Sequence, residues 1–198
     1  MNLLENILKR NYKVFLLTYL TLIFYPIEIF AKEKWVIDSN ISYIKFELPV
    51  LFAENVKGNF KKIDGLVEID FDNKSNNKAI FSVDINSIEI NYKKYLDLVL
   101  SETFFNASKY PLSLIDTKKF KYQEEQEILL PVELSIKGKS KIIPIKLQIN
   151  KLSNNLVQII TKFNFSRTEY EVGKGKWRNT SILKDRILID ANIFLFKE

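Results

Sequence analysis

The chain has 198 residues, a formal charge of +6 and neither cysteine nor histidine. The lack of cysteine excludes disulfides, thiolate metal sites and cysteine nucleophiles, and the lack of histidine excludes the Ser-His-Asp triad and removes the commonest general base. The basic residues are interspersed with acidic ones, whereas a nucleic-acid-binding protein gathers them on one face or in one run. The composition therefore argues against nucleic-acid binding and lowers the expectation of an enzyme.

Residues 1–31 differ from the rest of the chain. A basic region at 9–13 precedes an uncharged apolar run at 14–25, and Ala31 supplies a small residue at the end. A secretory signal peptide has this pattern, with an apolar core of about 7–15 residues. The alternative is an uncleaved membrane anchor, but a spanning helix needs about 20 apolar residues. We therefore expect cleavage after Ala31, export to the periplasm, and one mature domain at 32–198.

Apolar and polar residues alternate in short segments from Trp35 to the C-terminus. A period of two predicts strands with one buried and one solvent-facing side. Strands of this number bury their apolar faces in a sandwich or in a closed barrel, and a closed barrel can hold a ligand. The predicted strands are Ser42–Val50, Gly65–Asp72, Ala79–Ile90, Leu112–Phe120, Ile128–Ile136, Ile142–Ile149, Val157–Phe165 and Arg186–Phe196.

Two features interrupt the alternation. The apolar residues of segment 91–100 recur at helical spacing, which predicts a short helix that either plugs the core or roofs a cavity near an opening of the barrel. Pro131 and Pro144 fall inside predicted strands. Because proline lacks the N–H that a central strand donates, these positions indicate strand starts, bulges or irregular pairing.

A long loop at 166–184 combines glycine with basic residues. It contains Arg167 and the segment Gly-Lys-Gly-Lys-Trp-Arg-Asn at 173–179. Glycine lets the backbone approach a phosphate and basic side chains neutralise it, so one interpretation is a headgroup site at the barrel mouth. The alternative is a solvated hairpin in which Trp177 caps the core.

The acidic residues do not predict a catalytic or metal site. Asp70 and Asp72 share one strand face, but a third ligand is lacking and a solvent-facing side explains them better. Asp97 lies near Tyr92 and Tyr95, where capping or local pairing is the simpler role. We therefore predict no catalytic residue, no metal and no cofactor.

A series of short motifs resembles the YceI-like family of secreted bacterial proteins. The resemblance covers about residues 35–196, and its strongest part is 97–105 followed by Tyr110-Pro111. The chain departs from the family at Val99, where a histidine is common, and at Glu171, where a glycine is common. The other motifs are Trp35-Val36-Ile37-Asp38, Val56-Lys57-Gly58-Asn59-Phe60, Val83-Asp84-Ile85-Asn86-Ser87-Ile88, Leu134-Ser135-Ile136-Lys137-Gly138 and Phe165-Ser166-Arg167-Thr168-Glu169-Tyr170.

The resemblance implies an all-β fold, an antiparallel lipocalin-like barrel of about eight strands. It also implies binding and carriage of a long apolar amphiphile, such as a polyisoprenoid or an isoprenoid quinone. Two alternatives stay open: an envelope interaction module with a filled core, and a lipid-modifying enzyme that uses carboxylates. Alternation by itself does not distinguish a filled core from a cavity.

The predicted partner is thus a long-chain amphiphilic lipid, while transient contact with a membrane surface and a homodimer are left open. The ligand-binding side chains are expected on the inward faces of the strands, on the short helix and its continuation, and in the loop at 166–184. They are Phe46, Leu48, Phe60, Phe81, Val83, Ile85, Leu100, Phe104, Leu134, Ile136, Leu147, Phe163, Arg167, Tyr170 and Trp177.

Overall fold

The computed structural model describes residues 33–69, 77–121 and 127–198. The predicted signal peptide and the pair Asp70 and Asp72 lie outside these residues. Within them the chain forms eleven strands and one α-helix. The strands are β1 (Glu33–Ile37), β2 (Tyr43–Leu48), β3 (Val56–Phe60), β4 (Ile63–Ile69), β5 (Asn77–Asp84), β6 (Ile88–Ile90), β7 (Leu112–Phe120), β8 (Glu127–Ile136), β9 (Lys139–Ser153), β10 (Leu156–Ser166) and β11 (Arg186–Lys197), and the helix is α1 (Leu96–Leu100).

The strands close into an antiparallel barrel. The pairing runs β1-β4-β5-β7-β8-β9-β10-β11, and β11 pairs back onto β1. The short strand β2 continues the path of β1, β3 continues that of β4, and β6 continues that of β5. Strand β11, for example, is hydrogen-bonded to β2 along one half of its length and to β1 along the other. Counted this way, each two-part strand is one bent strand, so the barrel has eight strands and the predicted fold class is confirmed.

Over the described residues, which exclude the end of the predicted strand Gly65–Asp72, the strand predictions hold for each of the eight segments, with two differences. The predicted segment Ala79–Ile90 is split by a 3₁₀ turn at Ile85–Ser87, where Asp84 Oδ1 accepts a hydrogen bond of 2.9 Å from the Asn86 N–H. A capping side chain of this kind ends the extended conformation locally. The strand predictions also omitted β1 and β3, each only five residues long.

The two prolines inside strands face each other. Pro131 of β8 lies directly opposite Pro144 of β9. Two prolines can oppose each other only at a non-hydrogen-bonded pair, where the backbone nitrogens point toward the outer neighbours. The outer neighbours are β7 and β10, and neither is paired at the prolines. The β7–β8 pairing ends at Asp116 and Glu133, and the β9–β10 pairing ends at Leu147. The expected irregular pairing is confirmed.

The barrel has two unlike ends. The C-terminus and the start of β1 lie at one end, together with the two-residue connection between β9 and β10. Four connections, at 49–55, 91–111, 137–138 and 167–185, lie at the other end, which we call the mouth. Among the described residues there is no helix with the length and apolar character needed to cross a bilayer.

The end away from the mouth is solid. Its inward side chains have no exposed surface. Trp35 lies directly opposite Val67 on the neighbouring strand, Val157 lies opposite Leu195, and all four are fully buried. Such packing leaves no room for a ligand. The hollow part of the barrel is therefore confined to the half next to the mouth.

Candidate functional site: an apolar cavity at the barrel mouth

The mouth half of the barrel encloses a cavity of about 400 Å³. Cavities that hold small molecules are typically about 300–1,000 Å³ and mostly apolar. Strands β2, β3 and β5–β11 contribute to the wall, whereas β1 and β4 do not, because their inward side chains belong to the solid half. The interior is therefore neither a filled core nor an open pore.

Most of the predicted ligand-binding side chains lie on the cavity wall. They come from six strands, from the 3₁₀ turn at Ile85–Ser87 and from the mouth loops, and the inward orientation of those on strands follows from strand parity. Their role in binding a ligand stays a prediction. Those on the wall are Phe46, Leu48, Phe60, Phe81, Val83, Ile85, Phe104, Leu134, Ile136, Leu147, Phe163 and Trp177.

The structure corrects the expectation for Arg167. This residue is fully buried and does not line the cavity. Its guanidinium donates to the carbonyl oxygens of Leu183 (2.8 Å), Lys184 (2.8 Å), Val172 (3.0 Å) and, more weakly, Asn179 (3.4 Å). Burial lowers the pKa of Arg167 although Asp185 opposes the shift. Because its donors hold the loop at 167–185 together, Arg167 is a structural residue and is not available to a headgroup.

Tyr170 and Leu100 also lie outside the cavity wall. Tyr170 is fully buried, with its ring edge-on to Phe165 at a centroid distance of 5.4 Å. Its hydroxyl has no hydrogen-bond partner among the described residues, and burial raises its pKa to about 12. Leu100 closes the end of α1, where its carbonyl accepts from the Ala107 N–H at 2.9 Å. Neither side chain is therefore placed to touch a ligand in the cavity.

Helix α1 roofs the cavity, which decides between the two roles predicted for segment 91–100. Leu98 and Val99 of the helix lie on the wall, as does Tyr95 of the preceding 3₁₀ turn at Lys93–Tyr95. The hydroxyl of Tyr92 donates to the carbonyl oxygen of Glu54 at 3.1 Å. The helix is thus tied to the loop at 49–55, on the neighbouring part of the mouth.

The wall carries few polar side chains. The Thr117 hydroxyl accepts from the Ala79 N–H at 2.9 Å, and the Thr161 hydroxyl donates to the Lys146 carbonyl at 2.8 Å, so both belong to the barrel's own hydrogen bonding. Ser113 differs, because its side chain is buried and lines the cavity, and its hydroxyl forms no hydrogen bond with the described residues. Its hydroxyl is therefore available to a ligand.

Sequence reasoning did not assign an inward face to β7, and so it missed Ser113 and Ile115. The reason is that the outer face of β7 is also apolar: Leu112 and Leu114 are exposed, so the strand does not alternate clearly. The only sequence signal for the inward face of β7 would have been the apolar inward faces of its neighbours, β5 and β8. No group of three acidic side chains within the described residues is placed to hold a metal ion.

Eight antiparallel strands around a half-hollow apolar interior define the lipocalin-like class of β-barrels. Within that class, the sequence pattern of the YceI-like domain matches residues 35–195, and the chain belongs to the YceI-like family. The resemblance described from the motifs is thereby confirmed. Among curated protein sequences, none matches this chain significantly.

Solved structures with similar folds agree with this assignment. BcnA of Burkholderia cenocepacia is 22% identical with a TM-score of 0.73, covering 80% of this chain and 98% of that one. A polyisoprenoid binding domain from Saccharophagus degradans is 13% identical with a TM-score of 0.67, covering 83% and 98%. The YceI protein of Campylobacter jejuni is 21% identical with a TM-score of 0.66, covering 76% and 89%. At these identities the similarity establishes the fold.

Proposed function

We propose that this protein binds a long apolar amphiphile, a polyisoprenoid or an isoprenoid quinone, in the barrel cavity and carries it through the periplasm after export. The observation that carries this proposal is the apolar cavity of about 400 Å³ behind the mouth. The family supports it, since one structural relative is described as a polyisoprenoid binding domain. A ligand longer than the cavity would extend through the mouth.

The physical basis of binding would be burial of hydrocarbon. Each methylene group removed from water contributes about 0.8 kcal/mol, so an isoprenoid chain gains affinity along its length without specific polar contacts. The closed wall is built before the ligand arrives, which limits the ordering cost of binding. Shape and apolar character would then select the ligand class, and a few polar groups would set its orientation.

Binding without catalysis fits the wall better than the enzyme alternative. Glu54 is the only carboxylate among the described residues that line the cavity. Near the mouth, hydrogen bonds from the Ser166 and Thr168 side chains outweigh burial and hold the pKa of Asp185 below its ordinary value. A general acid on a lipid substrate needs the opposite, a carboxyl group with a raised pKa inside the cavity. We therefore propose a carrier that uses no cofactor.

The filled-core interaction module fits less well, because the half of the barrel next to the mouth is hollow. Transient contact with a membrane surface belongs to the proposed carriage, since a carrier must collect and release its ligand at a membrane. The homodimer stays a prediction.

Native mass spectrometry of the protein purified after export from a bacterial host, followed by organic extraction, tests the proposal. A stoichiometric adduct that is identified as a prenyl lipid is the expected result, and the N-terminal residue of the same sample tests cleavage after Ala31. A mass equal to the bare polypeptide, unchanged after prenyl lipids are added, would contradict the binding function.

A further inference from the structure

Exposed apolar side chains gather at the mouth of the barrel. Phe52 is 97% exposed and Ile182 is 65% exposed, and Tyr95 and Leu51 are 44% and 39% exposed. We call these four residues the rim patch. They come from three of the four connections at the mouth, and an exposed apolar patch of this kind marks an interaction site.

Phe52 is held outward by an unusual backbone. Its φ is +61°, in the left-handed region that a bulky side chain adopts only at a cost of about 1 kcal/mol or more. Packing in the protein does not repay this cost, because nearly all of the ring is in water. An external apolar environment would repay it, since transferring a phenyl ring out of water contributes roughly 1.5–3 kcal/mol.

The rim patch is continuous with the cavity. Tyr95 and Ile182 belong to both, and Val50 and Ala53, which flank Leu51 and Phe52 in the chain, line the cavity. The Leu51 N–H donates to the Ile182 carbonyl at 2.9 Å, so the two sides of the patch form one surface. An apolar ligand could therefore pass from a surface pressed against the rim patch into the cavity without crossing water.

Five cationic side chains lie in the same mouth segments as the rim patch. None of them forms an ion pair with the described residues. The segments 49–55, 91–111 and 167–185, which carry the rim patch, hold eight basic and six acidic residues, and two of the acids, Glu169 and Glu171, are in ion pairs, so the local net charge is positive. Exposed apolar groups accompanied by unpaired cations are typical of docking to an anionic lipid surface. The cations are Lys93, Lys94, Lys176, Arg178 and Lys184.

We propose that the mouth docks onto an anionic lipid bilayer, with Phe52 and Ile182 in the interfacial region and these cations on lipid headgroups. The proposal rests on the carrier function for its purpose, although the docking surface itself is independent of the ligand. A second copy of this chain fits the patch less well. A symmetric contact would bring the cations of two copies together, and like charges in an interface are costly.

Vesicle flotation of the protein expressed as the full chain and purified after export provides the test. Phosphatidylcholine vesicles are compared with vesicles containing one-quarter phosphatidylglycerol, at low and at high salt. We expect flotation only with the anionic vesicles, and weaker flotation at high salt because ions screen the headgroup contacts. Flotation that ignores both lipid charge and salt would overturn the assignment of the cations.

Phe52→Asn tests the apolar part of the patch. Asparagine tolerates the left-handed backbone, so the loop is expected to keep its fold. The partition coefficient on anionic vesicles should fall about tenfold or more, as expected for one ring that no longer leaves water. The matched control is Leu129→Asn, because Leu129 is 62% exposed at the opposite end of the barrel and should not affect flotation.

Ligand binding from solution separates this proposal from the proposed function. Phe52 does not line the cavity, so Phe52→Asn should bind a soluble short-chain prenyl quinone as the wild type does. Flotation that depends on Phe52 without any quinone binding would retain the docking surface and reject the carrier function. Equal flotation of Phe52→Asn and the wild type would overturn the docking proposal. If Phe52→Asn also converted a dimer to a monomer, the patch would be assigned to contact between two copies of the chain instead.

Discussion

The indole ring of Trp177 lies 5.7 Å from the ring of Phe104, centroid to centroid, with the two planes tilted by 58°. Both rings line the cavity, and they belong to the two long mouth loops. The Thr103 carbonyl joins the same loops by accepting from the Gly173 and Lys174 N–H groups at 3.0 and 2.8 Å. The aromatic contact therefore lies on the cavity wall, between the two long loops of the mouth.

Trp177→Ala should open the mouth. Loss of the indole removes one of the two rings of this contact, so we expect a bound prenyl quinone to dissociate about tenfold faster, the effect of roughly 1.4 kcal/mol of lost apolar contact. Stopped-flow release measures the rate. Trp177→Phe, which keeps an aromatic ring, should release the ligand at nearly the wild-type rate. Equal rates in the wild type and Trp177→Ala would show that the ligand does not pass this contact.

Tryptophan fluorescence should report ligand binding in the wild type. The chain has only two tryptophans, of which Trp177 lines the cavity and Trp35 lies buried in the solid half. A quinone in the cavity should therefore quench Trp177 more strongly than Trp35. The quenchable fraction should largely disappear in Trp177→Phe, and an unchanged fraction would place the ligand elsewhere.

Arg167→Met should destabilise the fold without acting directly on the ligand. The substitution keeps an apolar stem but leaves the carbonyls of Leu183, Lys184 and Val172 buried without their donor. Each hydrogen bond to a charged group contributes about 1.5–3 kcal/mol, so the free energy of unfolding should fall by at least about 2 kcal/mol. Urea unfolding measures it. The exposed Arg178 offers a control, since Arg178→Met should change the stability by less than about 0.5 kcal/mol.

Ser113→Ala should separate ligands by their polar ends. The buried Ser113 hydroxyl forms no hydrogen bond with the described residues, so its removal should not destabilise the empty protein. If a quinone oxygen bonds to this hydroxyl, the variant should bind the quinone roughly fivefold more weakly, equivalent to about 1 kcal/mol. Affinity for an unsubstituted isoprenoid hydrocarbon should not change. Equal losses for both ligands would rule out a hydrogen bond at Ser113.

Tyr170 should make the fold sensitive to high pH. Burial raises the pKa of its hydroxyl to about 12, above the ordinary value of 10.0. Between these values the unfolded chain releases the proton while the folded chain retains it, so stability falls as the pH rises from about 10 to about 12. Tyr170→Phe should remove this part of the slope. It should not lower stability near neutral pH, because the buried hydroxyl has no partner among the described residues to lose. Parallel pH profiles of the two proteins would contradict the prediction.

Much of the barrel could be predicted from the alternation of side chains. Strands β8 to β11 alternate clearly, and their inward residues, such as Leu134 and Leu147, lie on the cavity wall. Strand β7 was ambiguous because Leu112 and Leu114 make its outer face apolar as well, so Ser113 was not recognised. The headgroup interpretation of Arg167 was wrong because its partners are backbone carbonyls, which any residue type supplies.

The sequence by itself determined most of the strands, most of their inward faces, the short helix and the family. These features depend on local periodicity and on motif order, both of which are written along the chain. Only the tertiary structure decided that one half of the barrel is solid and the other hollow, that α1 roofs the cavity, and that Phe52 projects beside the opening. These properties depend on the volumes of side chains that meet across the barrel from strands distant in sequence, which periodicity does not encode.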